Sequence, residues 1–225
     1  QHRSSLAYKR PNRLSGQAVA VKLEKVSRTL NLSSKRKLLI ACPDSICWLA
    51  NIRAQDVPNS PLLNCYALVS GNLITVYSEN PLYKNNIVKF HNNVLIKHLD
   101  YFLSDFRPND IMLIEPERTP FIIKQELLRK KIEYESIENP IHRLKAIKNK
   151  IEIKNTINAH IEDGAALTKF LYWIKNKKNI NLTEIKAEKK LEKFRKQNKN
   201  FLYPSFNTIA GAGPNGAIIH YRANK

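Results

Sequence analysis

Acidic residues, glycine and cysteine are scarce in this sequence, and each shortage narrows the possible functions. The 225 residues include 19 Asp and Glu against 38 Lys and Arg, with six Gly and three Cys. An odd number of cysteines without zinc-like spacing argues against a disulfide framework and predicts small buried thiols, at Cys42, Cys47 and Cys65. No apolar run approaches the ~20 residues that cross a bilayer, and the first residues show no secretory pattern. We therefore predict a cytoplasmic protein with no membrane partner.

The excess of positive charge raises the question of nucleic-acid binding. The formal net charge is +19, yet the lysines are spread over most of the chain. The densest run, 186–199, interleaves Lys with Glu and with apolar residues, which is typical of a solvated helix face. We therefore predict no specific nucleic-acid partner, although loose salt-sensitive binding to polyanions is expected.

Several hydrolase and nucleotide-binding motifs are missing as well. The sequence contains no Gly-x-Ser-x-Gly elbow, no phosphate-binding P-loop and no His-Glu-x-x-His pair. These absences remove the residue-level basis for serine hydrolase, P-loop NTPase and zincin functions.

Apolar periodicity predicts alternating strands and helices over the first two thirds of the chain. A Gly-Asn turn between two apolar runs also predicts a hairpin. The predicted helices are 19–30, 93–102 and 120–128, and the predicted strands are 37–41, 65–69, 73–77, 111–114 and 132–137. This order predicts an α/β domain built on a sheet.

The last third has a different pattern. Asn139-Pro140 marks a boundary, because the residue before proline disfavours helix. An apolar stripe from 153 to 174 then predicts one long helix. Thr183 is expected to cap the next helix, with Glu184 in its first turn.

The glycine-rich segment 205–221, which reads SFNTIAGAGPNGAIIHY, holds half of the chain's glycines. Gly211-x-Gly213-x-x-Gly216 matches a dinucleotide-binding fingerprint. That fingerprint requires a helix after the glycines, but residues 217–221 are apolar residues typical of a strand. Pro214 has no N–H to offer a phosphate. The better alternative is a turn feeding a strand that presents His220 into a pocket. An isolated histidine on such a strand could also be a hydrogen-bonded core residue.

Segment 205–221 resembles the segment that precedes the metal ligands of the pita-bread metallopeptidases, and specifically of the Xaa-Pro aminopeptidases. Asn207 stands where that family usually has an acid. Segment 43–56, which includes IleCysTrpLeuAlaAsnIleArg, resembles their middle domain, with Ala54 in place of the usual glycine. Segment 159–166 resembles the first helix of their catalytic domain.

The resemblance implies a fold and a domain order. Residues 1–17 would be a linker from a missing first domain, and residues 18–150 a creatinase-like middle domain with a mixed sheet flanked by helices. Residues 151–225 would be the N-terminal part of a pita-bread α+β catalytic domain, incomplete here.

The resemblance also implies a function: metal-dependent removal of an N-terminal residue that precedes proline. The family uses two divalent metals, usually manganese, whose ligands are expected downstream of Lys225, so no metal site is expected in this chain. By resemblance His220 binds substrate, the substrates are proline-containing peptides, and the full-length enzyme is a homodimer. The chain alone would then be inactive. The alternative is a non-catalytic pseudo-enzyme, or an assembly subunit that acts through the creatinase-like domain.

Two further pairs are expected to be structural. Arg53 and Asp56 are predicted to pair with each other near a domain junction, with Trp48 in the core. His160 and Asp163 lie three residues apart on one helical face and are predicted to pair, a metal pair being the alternative.

Overall fold

The computed structural model describes residues 6–80, 83, 88–176 and 182–224. The chain divides into two units, Gln1–Glu152 and Ile153–Lys225. The strands are β1 Tyr8–Lys9, β2 Arg36–Ile40, β3 Ile52–Arg53, β4 Cys65–Ser70, β5 Leu73–Ser78, β6 Val88–His91, β7 Val94–His98, β8 Ile111–Ile114 and β9 Glu133–Ser136. The α-helices are α1 Asn12–Ser15, α2 Val19–Leu30, α3 Pro43–Leu49, α4 Phe121–Arg129, α5 Pro140–Ala146, α6 Lys150–Asn176 and α7 Glu184–Arg195.

A seven-stranded mixed sheet organises the first unit. Its strand order is β6-β7-β5-β4-β2-β8-β9. Strands β2, β8 and β9 are parallel to one another, as are β5 and β7, and the remaining neighbours are antiparallel. The α/β class with a mixed sheet is therefore confirmed.

Helices cover both faces of this sheet, and alternate strand residues point to opposite faces. In β2, Leu38 and Ile40 join one apolar cluster, whereas Leu39 joins the other. Helices α2, α3 and α5 contribute to the first cluster and α4 to the second. The central strands are consequently apolar on both faces, which explains why they read as short continuous apolar runs.

The first helix and the hairpin of this unit were predicted from sequence. Helix α2 runs from Val19 to Leu30, and Asn31 ends it in the left-handed region at φ 51°. The hairpin β4–β5 closes with Ser70 opposite Leu73. Gly71 lies between them at φ 54°, where a residue without Cβ is favoured.

The predicted helix 93–102 is wrong. Residues 94–98 form strand β7, and a 3₁₀ turn at Leu99–Tyr101 follows it. Val94 and Ile96 are fully buried, while β7 pairs with β5 on one side and β6 on the other. Pairing with strands on both sides, and not the helical spacing of the apolar residues at 94, 95, 99 and 102, decides the structure of this short segment.

The beginning of the chain is more ordered than an extended linker. Strand β1 pairs antiparallel with β3, with Tyr8 opposite Arg53. Helix α1 follows, and Gly16 ends it at φ 70°. These residues are thus part of the first unit.

The second unit consists mainly of α6, α7 and a 3₁₀ turn at Gly213–Ala217. Its described residues include one buried apolar side chain, Ala166. Over the described part of the chain, no helix is both long enough and apolar enough to cross a membrane.

Candidate functional site

The glycine-rich segment folds around one carboxylate, that of Glu184. Thr183 caps α7, its hydroxyl accepting a hydrogen bond from the Lys186 amide at 3.2 Å, so Glu184 is the first residue of the helix. The Ala212 amide donates to Glu184 Oε1 at 2.6 Å, and the Tyr221 hydroxyl donates to Glu184 Oε2 at 2.6 Å. The middle and the C-terminal end of the segment therefore meet at the beginning of α7.

Asn215 closes this network from the middle of the segment. Its amide nitrogen lies 3.2 and 3.3 Å from the two oxygens of Glu184 and 3.0 Å from the Tyr221 hydroxyl. Hydrogen bonds from Tyr221 and from the Ala212 amide lower the pKa of Glu184. The hydrogen bond between Tyr221 and Glu184 also raises the pKa of Tyr221, because the neighbouring carboxylate disfavours the phenolate. We call Glu184, Ala212, Asn215 and Tyr221 the Glu184 network.

The strand predicted after the glycines is wrong. Residues 213–217 form a 3₁₀ turn, and turn residues follow it up to His220. Gly213 has φ 57°, and a Cβ on Gly211 would lie 2.6 Å from the carbonyl oxygen of Asn215. The glycines thus serve a tight local turn, and the helix that the dinucleotide fingerprint requires does not follow them.

His220 lies at a turn and not on a strand. Its backbone has φ 56° and the residue is exposed, as are Ile218 and Ile219 before it. The prediction that a strand presents this imidazole into a pocket is therefore wrong for the chain as it stands here. The neighbouring Tyr221 is held by Glu184, which fixes the backbone next to His220.

The pair predicted between His160 and Asp163 is replaced by another. The Asp163 carboxylate accepts two hydrogen bonds from Arg195, at 2.6 and 3.0 Å, which join α6 to α7. This parallel two-bond geometry suits a guanidinium and a carboxylate. His160 is exposed on α6.

The residues that the structure describes do not fit a metal centre. Within the described ranges, no group of three or more His, Cys, Asp or Glu side chains could hold a metal ion. The described residues therefore provide no set of ligands for a metal ion that could activate a water molecule.

An aromatic groove lies in the second unit and was not predicted from sequence. It has a volume of about 540 Å³ and is lined by Thr168, Lys169, Tyr172, Trp173, Asn176 and Phe194. The ammonium group of Lys190 lies 5.3 Å from the Trp173 ring centre and 4.8 Å from that of Phe194. The sequence predicts only that Trp173 lies near the end of a long helix. The spacing of apolar residues along that helix does not reveal that Trp173 packs beside Lys190 and Phe194.

A buried lysine in the first unit was missed as well. The Lys22 ammonium donates to the Trp48 carbonyl oxygen and to Asn51 Oδ1, both at 2.7 Å, and lies 4.3 Å from the centre of the Trp48 ring system. Burial lowers the pKa of Lys22 to about 7. Lys22 lies three residues after Val19 and four before Val26, and this spacing places it on the apolar face of α2. The burial of Lys22 could have been predicted from that spacing.

The side chains of Arg53 and Asp56 both form hydrogen bonds with backbone groups. Arg53 Nη1 donates to the carbonyl oxygens of Cys47 and Ile52 at 2.8 and 2.7 Å. Asp56 Oδ2 accepts from the Asn64 amide at 2.9 Å. The sequence had predicted that these two side chains pair with each other.

The cysteines are free thiols, as predicted. Cys47 and Cys65 are buried and Cys42 is half-buried. The Leu63 amide donates to Cys47 Sγ at 3.4 Å, and Cys65 Sγ donates to the Leu63 carbonyl oxygen at 3.3 Å. Burial raises the pKa of the Cys65 thiol, which stabilises its neutral form.

Comparison with known families assigns both units. The family model of the creatinase/prolidase N-terminal domain matches residues 1–152, and that of metallopeptidase family M24 matches residues 154–225. The chain therefore belongs to the class of proteins with a creatinase/prolidase N-terminal domain, and its residues 154–225 are similar to an M24 metallopeptidase domain.

Within this class the chain is similar to Xaa-Pro aminopeptidases. It is 30% identical over 232 residues to a probable Xaa-Pro aminopeptidase P of Aspergillus niger, a match that covers 96% of this chain and 37% of the relative. A protein of the same name from Fusarium vanettenii is 31% identical, with 94% and 37% covered. The chain thus spans well under half the length of these relatives.

A solved structure shows the same fold. The X-prolyl aminopeptidase of Caenorhabditis elegans, described as a cytosolic enzyme with a di-nuclear active site, superposes with a TM-score of 0.84 at 23% identity. The superposition covers 99% of this chain and 38% of that one. The predicted resemblance and fold class, a creatinase-like domain followed by part of a pita-bread domain, are confirmed.

Proposed function

We propose that this chain is part of a metal-dependent Xaa-Pro aminopeptidase, which removes an N-terminal residue that precedes proline. The observation that carries the proposal is the match of 96% of the chain to relatives named for this activity. The proposed cofactors are two divalent metals, and we propose Mn²⁺ because carboxylate-rich ligands suit hard cations.

The proposed domain order places a creatinase-like domain at 18–150 and the start of the catalytic domain at 151–225. The structural division after Glu152 supports this order, as do the two family models, whose ranges meet near the same residue. A homodimer in the cytoplasm, acting on proline-containing peptides, is proposed for the complete enzyme.

We assign substrate binding to His220. Its exposed imidazole is available to a ligand, and the Glu184 network holds the next residue, Tyr221. A neutral imidazole can donate a hydrogen bond from one nitrogen and accept at the other, which suits it to a peptide carbonyl or amine. Since the described residues do not fit a metal centre, the chain alone should be inactive.

An activity assay on two proteins tests the proposal. The first is the chain alone with Mn²⁺ and a short X-Pro peptide, for which we expect no release of the N-terminal residue. The second continues this chain with the part of the Aspergillus niger relative that follows the matched region, for which we expect turnover. Turnover by the chain alone would overturn the assignment of the metal ligands to residues beyond Lys225.

His220→Ala in the continued protein tests the residue assignment. We expect a loss of about 10²-fold or more in kcat/KM, the size typical of removing a positioned catalytic-site hydrogen bond. His160→Ala is the matched control, because His160 is also exposed in the second unit and has no proposed role. Equal losses in both variants would contradict the role of His220.

A non-catalytic subunit is the second candidate, and the continued protein distinguishes it from the enzyme. If the continued protein is folded and binds Mn²⁺ but releases no residue from X-Pro peptides, the pseudo-enzyme function is the better one.

A further inference from the structure

Two of the three free cysteines lie side by side in the core of the first unit. Cys47 belongs to α3 and Cys65 begins β4, and both side chains are buried. Their sulfur atoms share a neighbour, since Cys47 Sγ lies 3.9 Å and Cys65 Sγ 3.3 Å from the carbonyl oxygen of Leu63. A hydrogen bond also joins the two thiols, so they are in direct contact.

The surroundings divide the pair into a thiolate and a neutral thiol. The hydrogen bond from Cys65 lowers the pKa of Cys47 against the opposing effect of burial. The Leu63 amide, which donates to Cys47 Sγ at 3.4 Å, and the positive charge of Arg53 lower this pKa further. Burial raises the pKa of Cys65, which therefore keeps its proton. A thiolate is the nucleophile of sulfur chemistry, so Cys47 is suited to attack and Cys65 to complete a bond.

A bond between these two sulfurs would close a loop that several elements contact. Residues 48–64 connect α3 to β4 and contain β3. Within this loop, the Trp48 carbonyl oxygen and the Asn51 side chain accept hydrogen bonds from the buried ammonium group of Lys22. Asn51 also donates to the Gln17 carbonyl oxygen at 2.9 Å. The loop thus joins α2 and the residues before it to the sheet, and a cross-link at its base would restrict all of these contacts.

We propose that Cys47 and Cys65 form a reversible disulfide bond when hydrogen peroxide reaches the first unit. The Cys47 thiolate attacks one peroxide oxygen, which breaks the O–O bond and leaves a sulfenic acid on Cys47. The hydroxide that is released takes up a proton and becomes water. Cys65 then attacks the sulfenic sulfur, and the S–S bond forms as the hydroxyl leaves with the Cys65 proton as a second water.

The electrons balance in this sequence, because the two sulfurs together lose the two electrons that the peroxide oxygens gain. A small-molecule thiol reverses the reaction by thiol–disulfide exchange. The cysteine pair lies in the first unit and is independent of the proposed enzymatic activity.

Mass spectrometry of a chain that lacks the third thiol tests the reaction. Cys42→Ser removes the half-buried cysteine, which could otherwise react separately. After the folded variant is treated with hydrogen peroxide, we expect a loss of two hydrogens, a linked pair of peptides that contain Cys47 and Cys65, and no thiol left for alkylation in urea. Dithiothreitol should restore both thiols. A gain of oxygen without the link, or a link between two chains, would overturn the proposal.

Two matched variants in the Cys42→Ser background test the roles of the two sulfurs. With Cys65→Ala, the remaining Cys47 should gain oxygen and form no bond within the chain, because no second thiol completes the reaction. With Cys47→Ala, the remaining Cys65 should react more slowly, since it keeps its proton. Equal or reversed rates would contradict the roles of attacking and resolving cysteine.

A second measurement does not require the oxidant to enter the folded unit. The parent chain, unfolded with all three cysteines reduced, is refolded in a glutathione redox buffer in which any pair can form. Peptide mapping should identify Cys47–Cys65 as the main disulfide. This form should unfold at a higher urea concentration than the reduced chain, because the bond restricts the unfolded state. A main disulfide that includes Cys42, or a lower urea midpoint, would overturn the proposal.

Discussion

The two units of this chain differ in how many of their apolar side chains are buried. In the first unit, helices and a seven-stranded sheet enclose two apolar clusters, and residues such as Leu38 and Leu23 are fully buried. In the described part of the second unit, Ala166 is the buried apolar residue, and polar contacts such as Arg195–Asp163 join its helices. The first unit therefore has the core of an independent domain, whereas the second is held together mainly at its surface.

A pair of leucine truncations gives the largest expected effect on this comparison. Leu38→Ala removes a fully buried side chain from β2 and should lower the free energy of unfolding by about 2–5 kcal/mol, through lost burial and a cavity. Leu171→Ala, at an exposed position of α6, should change it by less than about 0.5 kcal/mol. Urea unfolding of the two variants makes the measurement. Similar losses would mean that the second unit has a core as well.

The pH dependence of stability sharpens the comparison, because the buried cation lies in the first unit. The pKa of Lys22 falls from 10.5 to about 7 on folding, so between these values the unfolded chain binds more protons. Stability should therefore rise with pH above about 7, with a slope of at most about 1.4 kcal/mol per pH unit from this group.

Lys22→Met should remove this rise between pH 7 and 9. Lys25→Met is the control, since Lys25 is exposed on the same helix. Urea unfolding of both variants and the parent chain at several pH values would measure the difference. A rise of equal slope in all three proteins would contradict the assignment to Lys22.

The smallest effect is expected in the second unit, at the Glu184 network. Glu184→Gln replaces a carboxylate that accepts from Ala212 and Tyr221, and should speed hydrogen exchange at the Ala212 amide. Because the folded pKa of Glu184 is depressed, the parent network should persist at neutral pH and be lost as the pH falls below 4.5. Glu188→Gln on the same helix should leave the exchange of Ala212 unchanged.

The sequence allowed prediction of the first unit where local and tertiary preferences agree. Helix α2 and the β4–β5 hairpin have strong local signals, an amphipathic repeat and a Gly-Asn turn. Strand β7 lacks such a signal, because Val94 and Ile96 alternate over only five residues and pairing with β5 fixes their conformation. Tertiary pairing of this kind is not visible in a single short window.

Less of the candidate site could be predicted. The Thr183 cap follows from residue type and position and is confirmed. The run at 218–219 has strand-forming residues, yet it forms a turn in this structure. Asp163 meets Arg195, 32 residues away, and no local spacing rule selects that partner over His160.

The burial of Lys22 gives this lysine-rich chain a chemical marker of its own unfolding. Among the lysines that the structure describes, Lys22 is the buried one. Amine-acylating reagents should therefore modify the more exposed lysines first. Acylation of Lys22 requires α2 to separate from Trp48 and Asn51. The time course of its modification, followed by peptide mass spectrometry, would therefore record how often the first unit opens.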